Sequence, residues 1–183
     1  FLGIDKFILT GGSWGSTLAL YYAIQQPSRV SALVVNGVWT GSQAENDWLE
    51  KGLFQTHFPD VWERYLTTVP PAHQDDPTAY HFATITGKDA VAAKKSAEAY
   101  ANLESAVLGL DDTFTPIDST TFDPTSMFIE MRYIAKGCFL PNRFILKHAS
   151  KLKMPVHIVQ GRYDMVCPPN TAYTLSKLIP HAH

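Results

Sequence analysis

Phe7-Ile8-Leu9-Thr10-Gly11-Gly12-Ser13-Trp14-Gly15-Ser16-Thr17 joins a short apolar run to a glycine-flanked serine that leads directly into a helical pattern. The stretch predicts a strand, a sharp turn and a helix. Gly11 to Gly15 match G-x-S-x-G, in which the serine sits at the apex of a strained turn and projects its hydroxyl above the sheet. Gly11 and Gly15 are expected on steric grounds, because β-carbons there would collide where strand and helix cross and would oppose the turn. The unpaired N-terminal amides and positive dipole end of the helix favour negative charge beside Ser13, as an oxyanion requires. A phosphate-cradling turn is the weaker reading, since the spacing is not G-x-G-x-x-G and no lysine stands where a P-loop would place one. A purely structural turn stays open.

Working outward, the 183 residues are 45% hydrophobic and 17% charged, which allows one good apolar core. A net charge of −2 with scattered lysines and arginines gives no footprint for nucleic acid. No apolar run approaches the roughly 18 residues that a membrane span needs. Two cysteines, Cys138 and Cys167, make no disulfide framework and point to a reducing, cytoplasmic location. The opening Phe1-Leu2-Gly3-Ile4-Asp5-Lys6 has neither an initiating methionine nor a basic leader, so the chain is expected to be an interior piece of a longer one. No cofactor and no metal are expected.

Leu2 to Ile4 are expected to end an incoming helix, and Phe7 to Leu9 to form a strand. Leu18, Ala19, Leu20, Tyr22, Ala23 and Ile24 follow helical spacing up to Pro27, with Ala19 and Ala23 small enough for close packing on a sheet. Val30 to Asn36 is a nearly continuous apolar run closed by Gly37, the pattern of a parallel strand buried on both faces. Strand, helix and strand form a right-handed βαβ unit. Beyond Thr40 helical patterns dominate: 44–54, 60–66, 78–86 and 89–108, separated by prolines and Gly87. Residues 110–125 read as an irregular connection, and 126–136 and 143–151 as further helices. Strand character returns at Pro155 to Gln160, followed by Gly161-Arg162-Tyr163-Asp164 and a helix from Asn170 to Leu178. The predicted architecture is α/β: residues 1–40 and 151–183 build a partial parallel sheet, and 41–150 form an inserted helical cap. Asp164 falls just past the carboxyl end of a late strand, where open α/β sheets bind ligands. A turn or helix cap is the plainer alternative for an aspartate.

The chain resembles the proline iminopeptidases, serine peptidases with an α/β-hydrolase fold. The resemblance rests on Gly11 to Leu20, Phe58-Pro59 with Trp62-Glu63, Leu103-Glu104, Ile129-Glu130 and Val159 to Asp164. It implies that Ser13 is the nucleophile and Asp164 the triad acid. It implies also that the Trp14 backbone N–H belongs to the oxyanion hole, and that Glu104 and Glu130 are cap carboxylates holding the free amino end of the substrate. Trp39, Tyr100 and Tyr133 are aromatic candidates to wall a small site for the pyrrolidine ring. The chain departs from the family at Asn36-Gly37-Val38-Trp39, where an arginine usually precedes the glycine. The family's catalytic histidine and second oxyanion loop are expected outside residues 1–183, so the chain alone is expected to be inactive. Of the seven histidines present, none has a motif around it.

The implied activity is release of proline from the N-terminus of short peptides through a Ser-His-Asp triad. An esterase or amidase using the same triad is the rival within enzymes, because the fold does not set the substrate. A hydrolase-fold binding protein without chemistry is the rival outside them. Without the resemblance, Glu104 and Glu130 would read as solvated helix residues, the commonest state of glutamate.

Overall fold

The structure is a computed structural model that describes residues 3–108 and 115–183. A parallel sheet of three strands runs β1 (Phe7–Ser13), β2 (Val30–Val38) and β3 (Val156–Val159), in that spatial order. Helix α1 (Trp14–Gln25) makes the crossover from β1 to β2 and ends before Pro27, which cannot continue the helical ladder. Register fixes the two faces: Leu9, Leu33, Val35, Val156 and Ile158 share one of them. Against it pack Leu20, Ala23 and Ile24 of α1 and Ala172 and Leu175 of α9 (Pro169–Leu178), all within one buried cluster. Each fully buried leucine there contributes about 1.5–3 kcal/mol relative to exposure. The other face carries Ile8, 68% exposed, and Val159, 61% exposed. Within Val30 to Asn36 the apolar residues of that face, Ala32 and Val34, are half-buried, so the burial expected on both faces is complete on one only.

Contacts divide the chain into two compact units, 1–46 with 140–183, and 47–139. The first holds the sheet. It also holds α8 (Phe144–His148), whose Ile145 is fully buried together with Ala149 and Leu152 in the sheet's core. Residues 41–46 and 140–150, assigned from sequence to the cap, thus group with the sheet. Helix α2 (Gln43–Asp47) starts at Ser42, where the Glu45 carboxylate accepts the Ser42 and Thr40 N–H groups at 2.8 and 2.9 Å and both hydroxyls at 2.8 and 2.6 Å. That is the glutamate half of a capping box, the Ser42 hydroxyl donating to Glu45 instead of accepting its N–H, and both oxygens of the buried carboxylate are hydrogen-bonded.

The second unit is helical among its described residues. A π-helical stretch over Trp48–Phe54 leads into α3 (Gln55–His57), then α4 (Pro59–Leu66), α5 (Pro77–Ile85), α6 (Ala90–Leu108) and α7 (Thr125–Ala135). Asp76 caps α5 by accepting the Ala79 N–H at 3.0 Å, next to a proline at the first helical position. Aromatic packing ties the unit together, with Trp62 stacked on Phe54 and Tyr65 4.9 Å from His81, ring centre to ring centre.

Two expectations change at the ends of elements. Gly3 to Lys6 are irregular, with Gly3 at φ +64°, so the helix expected to end at Ile4 is absent there; Leu2 lies outside the described residues. Of the connection expected at 110–125, residues 115–124 are irregular and 110–114 lie outside the described residues.

Candidate active site

Ser13 is the last residue of β1 and stands directly before α1, exposed, with φ +50° and ψ −127°. A non-glycine residue held at such a φ stores on the order of 1–3 kcal/mol of strain, which the surrounding packing has to hold in place. The packing is visible. A β-carbon at Gly11 would run into the Gly15 carbonyl, so β1 and the first turn of α1 approach each other only because Gly11 lacks one. At Gly15 itself a β-carbon would meet nothing within 4 Å. The steric requirement expected at both glycines is therefore one-sided and belongs to Gly11. Ser16 donates to the Ser13 carbonyl at 2.6 Å and accepts the Trp39 N–H at 2.9 Å, while Thr17 donates to the Trp39 carbonyl at 2.7 Å. The first turn of α1 is thereby fastened to the exit of β2.

Asp164 lies in the turn after β3, at the same carboxyl edge of the parallel sheet. Its Oδ1 accepts the Cys167 N–H at 2.8 Å and its Oδ2 the Gln160 Nε2–H at 3.1 Å. Gly37 separates it from the serine turn. This residue has φ +49°, and a β-carbon on it would stand 3.5 Å from Asp164 Oδ2 and 3.8 Å from the Ser13 backbone nitrogen. The left-handed backbone favours glycine there, whereas the space would admit a β-carbon. Cys167, buried, has its thiol within hydrogen-bonding reach of the Ser13 hydroxyl. Burial, reinforced by the Asp164 charge, pushes that thiol up to about 11, so it stays protonated and un-nucleophilic at neutral pH.

Trp14 is the first residue of α1, and Trp39 is buried, 7% exposed, immediately beyond β2. Among the described residues no histidine is hydrogen-bonded to Ser13 or Asp164. His157 stacks on His183, whose backbone pairs with Val156 and Ile158 at 2.9 and 2.8 Å on the edge of β3 away from β2. His148 bonds the Phe144 carbonyl at 2.9 Å and His181 that of Met154 at 3.0 Å. His57 packs at a tilt against Trp48, His73 stacks on Tyr80, and His81 faces Thr68 at 3.2 Å.

In the helical unit, Glu104 of α6 and Glu130 of α7 come together side chain to side chain, both half-buried. Burial first, then the charge of Glu130 and its hydrogen bond, hold the Glu104 carboxyl well above the ordinary range. Among the described residues no lysine, arginine or histidine is ion-paired with either. Tyr100, 2% exposed, lies near both, and its hydroxyl is raised well above its usual value by burial and by these carboxylates. Tyr133 is half-buried and packs edge-on against Phe139 at 5.1 Å.

Sequence reasoning missed Gln160, Gly37 as a separator, Glu45, and the place of Cys167 beside Ser13. Ser42-x-x-Glu45 is a readable capping signal. Gln160 has no such signal. Among the described residues no group of three or more His, Cys, Asp or Glu side chains forms a metal site, and no helix is long and apolar enough to cross a membrane.

Over residues 2–183 the chain matches the alpha/beta hydrolase fold family. It is 33% identical over 186 residues to a probable proline iminopeptidase of Leptolyngbya boryana, covering 99% of this chain and 58% of that protein. Against a proline iminopeptidase of Xanthomonas citri it is 34% identical over 186 residues, covering 99% and 59%. The chain thus spans 58% and 59% of the length of these curated relatives. In fold it is similar to an alpha/beta hydrolase enzyme from a Medee basin deep-sea metagenome library, with a TM-score of 0.52 at 18% identity, covering 100% of this chain and 56% of that one. With a strained serine closing the first strand of a parallel sheet, and the family's pattern running from Leu2 to its last residue, the chain belongs to the α/β hydrolase fold family.

Proposed function

We propose that the protein is a serine aminopeptidase that releases proline from the N-terminus of short peptides. Ser13 is the nucleophile, Asp164 the acid that orients and stabilises the histidine base, and the Trp14 N–H one donor to the oxyanion. The base is a histidine outside residues 1–183. Attack of the Ser13 Oγ on the prolyl carbonyl, with its proton passing to the histidine, gives a tetrahedral oxyanion. Collapse returns that proton to the departing amine and leaves a prolyl ester, which water hydrolyses by the same route.

The observation that carries this reading is the Glu104–Glu130 pair. Two half-buried carboxyls in contact, with no cation paired to either among the described residues, repel each other unless a proton is shared between them. A terminal ammonium supplies the missing positive charge and donors to both. Tyr100 and Tyr133 of the same helical unit are the aromatic surfaces proposed for the pyrrolidine ring. The names of the relatives agree with this substrate class.

The test uses the full-length enzyme and two substrates, a proline naphthylamide and a short neutral acyl ester. Glu104→Gln or Glu130→Gln is expected to lower kcat/KM for the amine substrate roughly 10- to 100-fold, since a charge-assisted bond contributes about 1.5–3 kcal/mol. Ester hydrolysis is expected to change by less than about threefold, and Ser13→Ala to abolish both. Equal losses on the two substrates would remove the amine clamp. Ester turnover without proline release would make the protein an esterase.

A further inference from the structure

Gln160 follows β3 directly, and its amide is fully engaged at the carboxyl edge of the sheet. Its Oε1 accepts the Val38 N–H at 2.8 Å, and its Nε2 donates to Asp164 Oδ2 at 3.1 Å and to the Cys167 carbonyl at 2.8 Å. The orientation of the amide is fixed by chemistry, because a backbone N–H only donates and a carboxylate and a carbonyl only accept. One side chain therefore ties the end of β2 to both ends of the turn that carries Asp164. The Cys167 N–H holds the other carboxylate oxygen at 2.8 Å.

We propose that Gln160 is the positioning residue of the acid: its amide, anchored on Val38, fixes the rotation of the Asp164 carboxylate so that the remaining lone pairs face the histidine base. This rests on the reading of Asp164 as the acid. Two of the four lone-pair directions of the carboxylate are occupied, by Gln160 and by the Cys167 N–H. Without the amide, Oδ2 loses its donor and the carboxylate is free to turn about its last bond. A misdirected acid no longer holds the imidazole at the angle that proton transfer needs, and displacements of about 1 Å are enough to lower rates about 100-fold. Gln160 touches neither substrate nor reacting atoms, so its effect belongs to kcat and passes through Asp164.

The experiment is a cycle in the full-length enzyme: Gln160→Met, Asp164→Asn and the double variant, with Gln160→Glu alongside. kcat and KM are measured on a proline naphthylamide across pH, and folding is followed by thermal melting. Gln160→Met is expected to lower kcat about 10- to 100-fold with KM within about twofold. Combined with Asp164→Asn it is expected to add less than about twofold, because the residue it positions is already disabled. The acid limb of the kcat/KM profile should move to lower pH in Gln160→Met, as a negative charge turned away from the imidazole dictates. Equal losses from Gln160→Met in both backgrounds would make the role purely structural and overturn the proposal. So would unchanged kcat in Gln160→Met while Asp164→Asn is inactive, which leaves the acid reading intact. Unchanged kcat in Asp164→Asn sinks the acid reading itself. If Gln160→Met does not fold, Gln160→Glu, which keeps the acceptor for the Val38 N–H but has no donor for Oδ2, carries the test: unchanged kcat there while Asp164→Asn is inactive overturns the proposal.

Discussion

His81 is 1% exposed, with its Nε2 3.2 Å from the Thr68 hydroxyl and its Nδ1 without a partner. Burial pulls its pKa down to about 4, against about 6.5 for an unfolded histidine. Below pH 6.5 the unfolded chain takes up a proton that the folded helical unit refuses, so the stability contribution is complete above 6.5 and lost as pH falls toward 4. The loss is on the order of 3 kcal/mol across that window. Urea unfolding at pH 7 and pH 5 should show it, and His81→Phe should flatten the slope; an unchanged slope would assign the acid sensitivity elsewhere. At this scale legibility depended on spacing. Ser13 and Asp164 could be placed because a turn motif and a strand end fix their neighbours along the chain. Gln160 was not legible, since its partners Val38, Asp164 and Cys167 come together only in three dimensions.

Among the elements, α2 depends most on one side chain. The buried Glu45 carboxylate accepts four hydrogen bonds from Thr40 and Ser42 and so fixes the loop between β2 and the helix. Glu45→Gln replaces one acceptor oxygen by a donor facing other donors. It is expected to destabilise the protein by about 1.5–3 kcal/mol, read as a lower melting temperature or urea midpoint. A midpoint equal to that of the wild type would mean that the loop is held by something else. Helix and strand positions were largely legible from period and proline placement, as for α1, α6 and β2. The π-helical stretch at Trp48–Phe54 was not, because apolar spacing does not distinguish an i→i+5 bond from an i→i+4 bond. The apolar face of Ile145, Ala149 and Leu152 was visible as a stripe, but a stripe does not say which core receives it.

Across the whole molecule, the change of composition after β2 announced a helical excursion. Its limits at 47 and 139 depend on packing that residue type alone does not reveal. The excursion also governs the order in which the parts come together. β1, α1 and β2 are neighbours in sequence and pack on one another, whereas the bond from Val38 to Gln160 spans 122 residues. Closing so long a loop has an entropic cost that local contacts avoid, and contacts of high sequence separation form late. The carboxyl edge of the sheet, where Ser13, Gly37 and Asp164 stand, is therefore expected to be completed only after this long loop has closed. In refolding experiments on the full-length enzyme, helical signal should return well before Ser13 regains reactivity toward a serine-directed phosphonate; simultaneous recovery would refute this order. Helix-rich intermediates with an unfinished nucleophile are the expected population at early times, and competence is the last property the chain acquires.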